Sequence, residues 1–200
     1  MKQTFSSLKS CICCDRNRVV PIKARKSNLL AFFYEEGFHF LFWFRVASFF
    51  RRRKGLLNHI LEIVTYIPYR HLSHKYGIQS GLDTNLGEGF RIAHYNGIVF
   101  AGSTVVGKNC TIMQGVSMAR TFSKDGGAPI IGDNVVIFNG AKIVGNIMVG
   151  SNSIVLANAV VTKSVPDGVV VGGVPARVIA KREEIDLDQV RCSKSFNICL

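Results

Sequence analysis

The chain has 200 residues, 48 % of them hydrophobic, and its 25 Lys and Arg against 13 Asp and Glu give a formal net charge of +12. A hydrophobic fraction of this size supports a folded core and excludes disorder of the whole chain. The length fits one domain with a smaller appendage. Residues 1–76 hold 14 basic and 4 acidic residues but 2 of the 19 glycines, so the chain divides near Tyr76 and Gly77.

Residues 1–26 are basic and are expected to form a flexible N-terminal segment. Cys11, Cys13 and Cys14 lie there without the second Cys pair or the nearby His of a zinc site, so no metal is expected. Six cysteines beside a large core indicate reduced thiols in a cytoplasmic protein rather than a disulfide scaffold. No secretory signal is expected, because the apolar run is too short and too polar.

Residues 27–76 are expected to form an α-helical segment. Apolar and aromatic side chains recur at helical spacing in residues 28–50, and the sequence RRRKG that follows suits a helix C-terminus. The apolar runs are too short to span a membrane. A second helix is predicted from Leu56 to about His74, with Pro68 as a kink or break.

The basic run RRRK at 51–54 has three interpretations. It is either a solvated helix end or, together with the aromatic residues before it, a surface for anionic lipid headgroups. The second interpretation predicts a peripheral membrane contact through residues 38–54, which would place the protein at the inner face of the membrane. A net charge of +10 in residues 1–76 also suits nucleic acid, but no reading motif accompanies it, so no nucleic-acid partner is expected.

Residues 77–182 contain a six-residue repeat of β-branched aliphatic side chains. The clearest run is Ile131, Ile137, Ile143, Val149, Val155 and Val161. A helix with 3.6 residues per turn cannot keep this spacing on one face. Hexapeptide periodicity is the signature of a parallel β-helix, and residues 86–165 would make roughly four to five coils. A Val-rich β-sandwich is the alternative, which the strict spacing disfavours.

Two segments depart from the repeat. TFSKDGGAP, at 121–129, breaks the phase and is expected to be a projecting loop, and such loops on rigid scaffolds often carry function. The sequence KSVPDGVVVGGVPARVIAKREEID, which starts at residue 163, is expected to cap the open end of the coil with two Pro-containing turns and a helix-like end. Residues 183–200 form a C-terminal tail.

His94, in the stretch RIAHYNGIVF at 91–100, is the one histidine of residues 77–200. It could be a packed side chain, a metal ligand or a catalytic base. Imidazole titrates near neutral pH, which suits a general base. A lone histidine is a poor basis for a metal site, so the first and third roles are the stronger ones.

Three stretches carry a family resemblance: LGEGFRIAHYNGIVFAGSTVVGKNCTIMQGVSM, PIIGDNVVIFNGAKIVGNIMVGSNSIVLANAVVTKSVP and the ending GGVPAR. They resemble the left-handed β-helix acyltransferases and, within them, the serine acetyltransferase branch. GFHFLFWFRVASFFRRRKG also resembles the helical segment that precedes the coils in that branch. The resemblance implies a mainly β fold, a left-handed parallel β-helix preceded by a small α-helical N-terminal segment.

The resemblance also implies an acetyl-CoA-dependent enzyme. Acetyl-CoA would lie in a groove between neighbouring coils of a homotrimer, and trimers could pair into hexamers. His94 matches the catalytic histidine of the family, which takes the proton from an acceptor hydroxyl. The cofactor-binding positions that the resemblance implies are Asn139, Ala157, Thr162, Lys163 and Arg177.

Three acceptor-side positions depart from the serine acetyltransferase pattern. Gln79 stands fifteen residues before His94, where that branch has an aspartate that pairs with the catalytic histidine. Ala93 stands in place of a second aspartate, and Ala128 in place of a loop histidine. Gln79 is still expected to assist catalysis by holding the ring of His94 through a hydrogen bond.

This altered pattern looks closer to the sugar O-acetyltransferases of polysaccharide biosynthesis, such as the colanic acid type. The function expected from the sequence is therefore acetyl transfer to a hydroxyl of a sugar or glycan in surface polysaccharide biosynthesis. The alternatives are a serine O-acetyltransferase of cysteine biosynthesis, an acyltransferase with another acceptor such as an amino-sugar, and a non-catalytic β-helix scaffold.

Overall fold

The computed structural model describes residues 4–19, 35–121 and 126–184. Helices come first and short strands follow. The helices are α1 (Phe5–Val19), α2 (Glu36–Arg51) and α3 (Leu56–Tyr76). The strands are β1 (Ile78–Gln79), β2 (Asn85–Leu86), β3 (Arg91–Ile92), β4 (Ile98–Phe100), β5 (Val105–Val106), β6 (Thr111–Ile112), β7 (Ser117–Ala119), β8 (Ile130–Ile131), β9 (Val136–Ile137), β10 (Lys142–Val144), β11 (Met148–Val149), β12 (Ile154–Val155), β13 (Val160–Val161), β14 (Val169–Gly172) and β15 (Arg177–Lys181).

The strands form the three faces of a coil. One face runs β1-β4-β7-β10-β13, the second β2-β5-β8-β11, and the third β3-β6-β9-β12-β14-β15. Every neighbouring pair is parallel except β14 and β15. From β1 to β10, each strand pairs with the strand three places further along the chain, as expected when each turn contributes one strand to each face. The predicted parallel β-helix is therefore confirmed.

The core of the coil is the inward column of the six-residue repeat. All six repeat residues from Ile131 to Val161 are at most 2 % exposed. Their stacking is direct: Ile112 pairs with Ile137, and Ile137 pairs with Val155. At the corners, asparagines take left-handed backbone angles that favour a tight bend, which short polar side chains tolerate. These are Asn109, Asn134, Asn152 and Asn158, with φ of 55° to 56°.

Helix α1 corrects the prediction that residues 1–26 are flexible. Residues 20–26 of that range lie outside the described residues, but residues 5–19 are helical. Asp15, at 1 % exposure, accepts a hydrogen bond from Arg45 of α2 at 3.0 Å and another from the backbone N–H of Phe90 at 2.9 Å. A buried carboxylate that joins a helix to the coil fixes the segment, and no local sequence pattern could show it because Arg45 lies 30 residues away.

Helix α2 bears on the membrane contact predicted through residues 38–54, which stays a prediction. Part of its aromatic side is turned into the protein: Phe40, Phe44 and Phe49 are at most 1 % exposed. Phe40 and Phe44 both pack against Tyr69 of α3, with ring centroids 5.6 Å and 6.1 Å apart. These three rings are therefore core residues, whereas Phe42, Trp43 and Phe50 are half-buried.

Helix α3 runs through Pro68 without a break, so of the predicted kink or break the break is wrong and the kink stays a prediction. Proline has no N–H, so the carbonyl of Val64 has no helical hydrogen-bond partner. Val64 is 57 % exposed, so water can reach this carbonyl and the loss of stability is small. The helix ends two residues later than predicted, with Gly77 in a left-handed conformation as its cap. None of the described helices is long and apolar enough to cross a membrane.

The C-terminal cap contains a strand that was not predicted. Strand β15 turns back antiparallel to β14, and a 3-10 turn at Arg182–Glu184 follows where the short helix-like end was expected. An antiparallel strand closes the last turn of the coil because it occupies the edge of the third face. The rest of the predicted tail, residues 185–200, and the middle of the predicted loop, residues 122–125, lie outside the described residues.

Candidate functional site

His94 follows β3, at the corner that leads to β4, and is half-buried. The next residue, Tyr95, is 40 % exposed, and its ring lies 4.9 Å from the ring of Tyr76 at the end of α3. Asn96 has a φ of 94° and Gly97 one of 66°, so the chain turns sharply directly after the histidine. The corner holds the imidazole at the surface of a rigid coil rather than inside the core.

A column of side chains continues from His94 along this corner. The strands that pair through Ile92, Ile112, Ile137 and Val155 bring the residues two positions further on to the same corner. Those residues are His94, Gln114, Asn139 and Ala157. Backbone hydrogen bonds extend the pairing past the strands, since the N–H of Gly115 donates to Asn96 O at 2.8 Å and that of Gly140 to Gln114 O at 2.9 Å.

The expected groove positions Asn139 and Ala157 thus lie one turn apart in one column, below His94. The sequence analysis did not single out Gln114, which lies between His94 and Asn139. Its signal was available, because Gln114 stands two residues after the inward Ile112 as His94 stands two residues after Ile92. Gln114 is exposed, so its amide can reach a molecule lying along the corner.

Beside this column the corner is lined by backbone. Gly97, Gly115 and Gly140 stack, and a Cβ on Gly97 would lie 3.5 Å from the Cα of Gly115, while one on Gly115 would lie 3.4 Å from the Cα of Gly140. The three glycines have φ of 66° to 72°, where side chains are strained. The result is a smooth strip that leaves room for an extended chain next to His94.

Gln79 lies elsewhere than expected. It ends β1, where it pairs with Val99, and its side chain is exposed. Within the described part of the chain, no hydrogen bond joins Gln79 to His94. Gln79 instead borders a cavity of about 410 Å³ that Arg70 and His74 of α3 also line. A single chain therefore does not show Gln79 orienting the ring of His94, and that role stays a prediction.

The other two altered positions carry no polar side chain into the site. Ala93 is half-buried directly before His94, and Ala128 is 6 % exposed at the start of β8. Among the described residues, no group of three or more His, Cys, Asp and Glu side chains is placed to hold a metal ion.

The ending GGVPAR is held against the last strand of the first face of the coil. The N–H of Ala176 donates to Val160 O at 2.8 Å, which places this ending against β13. Thr162 and Lys163, directly after β13, and Arg177 are all exposed. The guanidinium of Arg177 donates to Ala176 O at 2.9 Å. Two cations and a hydroxyl therefore face solvent at the C-terminal end of the coil, and groups of this kind can bind phosphate.

Two titratable groups support the wall behind His94. Burial raises the pKa of Tyr76, and Glu36 and Tyr95 add to the same effect. Burial, together with Lys75, lowers the pKa of His39, whose Nδ1 lies 3.5 Å from the Tyr76 hydroxyl. At pH 7 the phenol is therefore protonated and His39 is neutral, so Tyr76 packs against Tyr95 as an uncharged side chain.

Comparison with known proteins points to one group of enzymes. Residues 128–163 match the bacterial transferase hexapeptide model of six repeats. A serine acetyltransferase of Synechococcus elongatus is 32 % identical over 162 residues, which is 78 % of this chain and 62 % of that protein. A serine acetyltransferase of Brucella abortus, solved with coenzyme A, superposes with a TM-score of 0.75 at 30 % identity over 88 % of this chain and 69 % of that one.

A third match is the serine acetyltransferase of Neisseria gonorrhoeae, solved in complex with serine. It superposes with a TM-score of 0.74 at 28 % identity and covers 88 % of this chain and 70 % of that chain. The present chain is thus shorter than its relatives and spans about 62 % of the Synechococcus protein.

The coil, the repeat and these matches define the class of the protein. The chain belongs to the hexapeptide-repeat acyltransferases, and its fold is the left-handed parallel β-helix preceded by helices, as expected. Within that class it is serine acetyltransferase-like.

The expectation of a sugar or glycan acceptor in polysaccharide biosynthesis is wrong. The relatives and structures described above are serine acetyltransferases, and one of them was solved with serine. The expectation rested on Gln79, Ala93 and Ala128. These three residues show that polar groups of the serine acetyltransferase pattern are missing. They do not identify an acceptor other than serine.

Proposed function

We propose that the protein is an acetyl-CoA-dependent O-acetyltransferase that acetylates the hydroxyl of serine. The observation that carries the proposal is the corner column that runs from His94 to the cationic end of the coil. The proposal is also supported by the likeness to two serine acetyltransferases, one solved with coenzyme A, at 30 % identity, and one solved with serine, at 28 % identity.

His94 acts as the general base at the start of the column. The serine oxygen attacks the thioester carbonyl carbon of acetyl-CoA while the imidazole takes the hydroxyl proton. The C–S bond then breaks, the acetyl group stays on the serine oxygen, and the imidazolium returns the proton to the sulfur of coenzyme A. A base positioned in this way contributes roughly 10²–10⁴-fold to the rate.

The coenzyme lies along the corner. Three inter-strand steps of about 4.8 Å each separate the level of His94 from that of Ala157, or about 14 Å. The glycine strip and the small side chain of Ala157 leave room for an extended arm, and the amides of Gln114 and Asn139 can hydrogen-bond to it. Lys163 and Arg177 hold the phosphates at the far end.

The assembly we propose is a homotrimer, with the site in the groove between neighbouring chains. Gln79 is exposed on an outward face of the coil and does not bond to His94 of its own chain, which fits a site that a neighbouring chain completes. The location we propose is the cytoplasm, since acetyl-CoA is made and used there and the described cysteines are free thiols.

The test measures release of the coenzyme A thiol from acetyl-CoA by the purified protein, with and without serine. Serine-dependent release is expected, and His94→Ala should reduce it by about 100-fold or more while binding of coenzyme A persists. His59→Ala is the matched control, because His59 lies on the exposed side of α3 beside Glu62 and should leave the rate unchanged. Serine-independent release, or a His94→Ala variant as active as the parent protein, would refute the proposal.

A further inference from the structure

Helix α3 carries an apolar surface that the rest of the described chain leaves uncovered. Six aliphatic side chains of its first twelve residues are exposed, by 48 % to 78 %. They are Leu56, Leu57, Ile60, Ile63, Val64 and Ile67. At about 100° per residue they occupy roughly one third of the helix circumference, opposite the buried Thr65, Tyr69 and Tyr76. We call these six residues the apolar patch.

Cations lie at both ends of the apolar patch. On the same side of α3, the last two turns present the exposed cations Arg70 and Lys75. At the other end, the turn before the helix holds the exposed Arg52 and Lys54, and Arg51 at the end of α2 pairs with Glu62 and Asp83.

The acidic groups near the apolar patch are few and paired. Glu62 is the one acidic residue in the sequence of α3, and its carboxylate accepts a hydrogen bond from Arg51 at 2.8 Å. Asp83 lies 3.5 Å from the same guanidinium, across a cavity of about 400 Å³ that Ile63 and Ile67 also line. The surface is therefore apolar in its middle and positive at its ends.

We propose that this face of α3 binds the surface of an anionic lipid bilayer. A helix lying in the interface buries its apolar side among the acyl chains near the headgroups, and flanking cations pair with anionic headgroups. The patch is about 16 Å long at 1.5 Å per residue, which suits a helix lying flat and is too short to span. The contact concerns location and does not depend on the proposed reaction.

The charge distribution argues against two other occupants. A second copy of the chain docked through the patch would bring the cationic ends of the two helices together, whichever way they ran, and like charges in contact oppose association. A nucleic acid would pair with the cations but would leave the six aliphatic side chains without an apolar partner.

The experiment is sedimentation of the full chain with lipid vesicles. Vesicles of phosphatidylcholine with about 30 % phosphatidylglycerol should bind the protein at least about tenfold better than pure phosphatidylcholine vesicles. Raising NaCl from about 0.1 M to about 1 M should reverse most of that difference, because screening weakens the headgroup contacts. Equal binding to both vesicle types, or no binding to either, would overturn the proposal without any variant being made.

A double variant tests whether the apolar patch contributes to vesicle binding. Ile60→Glu/Ile67→Glu should lower binding to the anionic vesicles by about tenfold or more, because two charges replace inserted side chains. Met148→Glu, at another exposed apolar position (54 %) on β11, is the matched control and should bind as the parent chain does. Unchanged vesicle binding by the double variant would overturn the proposal. So would a smaller assembly of that variant in size-exclusion chromatography, since a second copy would then be the occupant.

Discussion

The inward column of the β-helix makes a quantitative prediction at Ile137. This side chain is 0 % exposed and stacks between Ile112 and Val155. Ile137→Ala removes three carbons, worth about 2.5 kcal/mol of lost burial. The cavity cannot close easily, because backbone bonds to the next turn, such as Phe138 N–H to Val155 O at 2.9 Å, fix the strand spacing. The cavity term raises the expected loss to about 4 kcal/mol.

The assay is urea unfolding followed by circular dichroism at one fixed protein concentration, because any assembly makes the midpoint concentration-dependent. Val136→Ala, one residue earlier on the same strand, is the control. Val136 points outward and is half-buried, so its loss should cost about 1 kcal/mol. A loss below about 1 kcal/mol for Ile137→Ala, or a larger loss for Val136→Ala, would refute the inward register of the repeat.

Two further predictions concern the helical part. Asp15→Ala should cost about 3–5 kcal/mol in the same unfolding assay, because it leaves the buried guanidinium of Arg45 without its carboxylate; a loss below about 1 kcal/mol would show that α1 is not held by this pair. Burial raises the pKa of Tyr69 to about 12 from an ordinary value of 10.0, so the unfolded chain loses this proton first and stability should fall between those pH values. Tyr69→Phe should flatten that fall in unfolding curves taken across the range, and an unchanged pH profile would contradict the assignment.

The sequence predicted the coil well because its rule is local. A β-branched side chain every sixth residue settles which atoms point inward, and the pairing of Ile137 with Val155, three repeats apart, follows from that period alone. Gln114 could have been found as well, because it stands two residues after the inward Ile112 as His94 stands two residues after Ile92. Structure that a local repeat determines can therefore be predicted from a single sequence.

The helices were predicted less well because their environment is set by distant residues. Helix α1 looked like a basic, flexible segment, and it is ordered through Asp15, whose partner Arg45 belongs to another helix. The aromatic residues of α2 looked like a membrane surface, although Phe40 and Phe44 fill the core against Tyr69. The exposed apolar side belongs instead to α3, and helical spacing alone does not tell a buried stripe from an exposed one.

The acceptor was mispredicted for a related reason. Serine carries an ammonium and a carboxylate, and each needs a partner of opposite charge or a set of hydrogen bonds when it leaves water. Gln79, Ala93 and Ala128 supply no charge for either group.

Under the proposed function, the groups that bind the ammonium and the carboxylate of serine come from outside these three positions. A neighbouring chain in the proposed trimer is the place from which the coil geometry can supply them. A motif comparison shows only which residues differ at matching positions of the sequence. Binding of serine depends on which charged groups the fold brings together around it. A glutamine at position 79, where the serine acetyltransferase pattern has an aspartate, is thus compatible with a serine acceptor as long as another group of the assembled site supplies the missing negative charge.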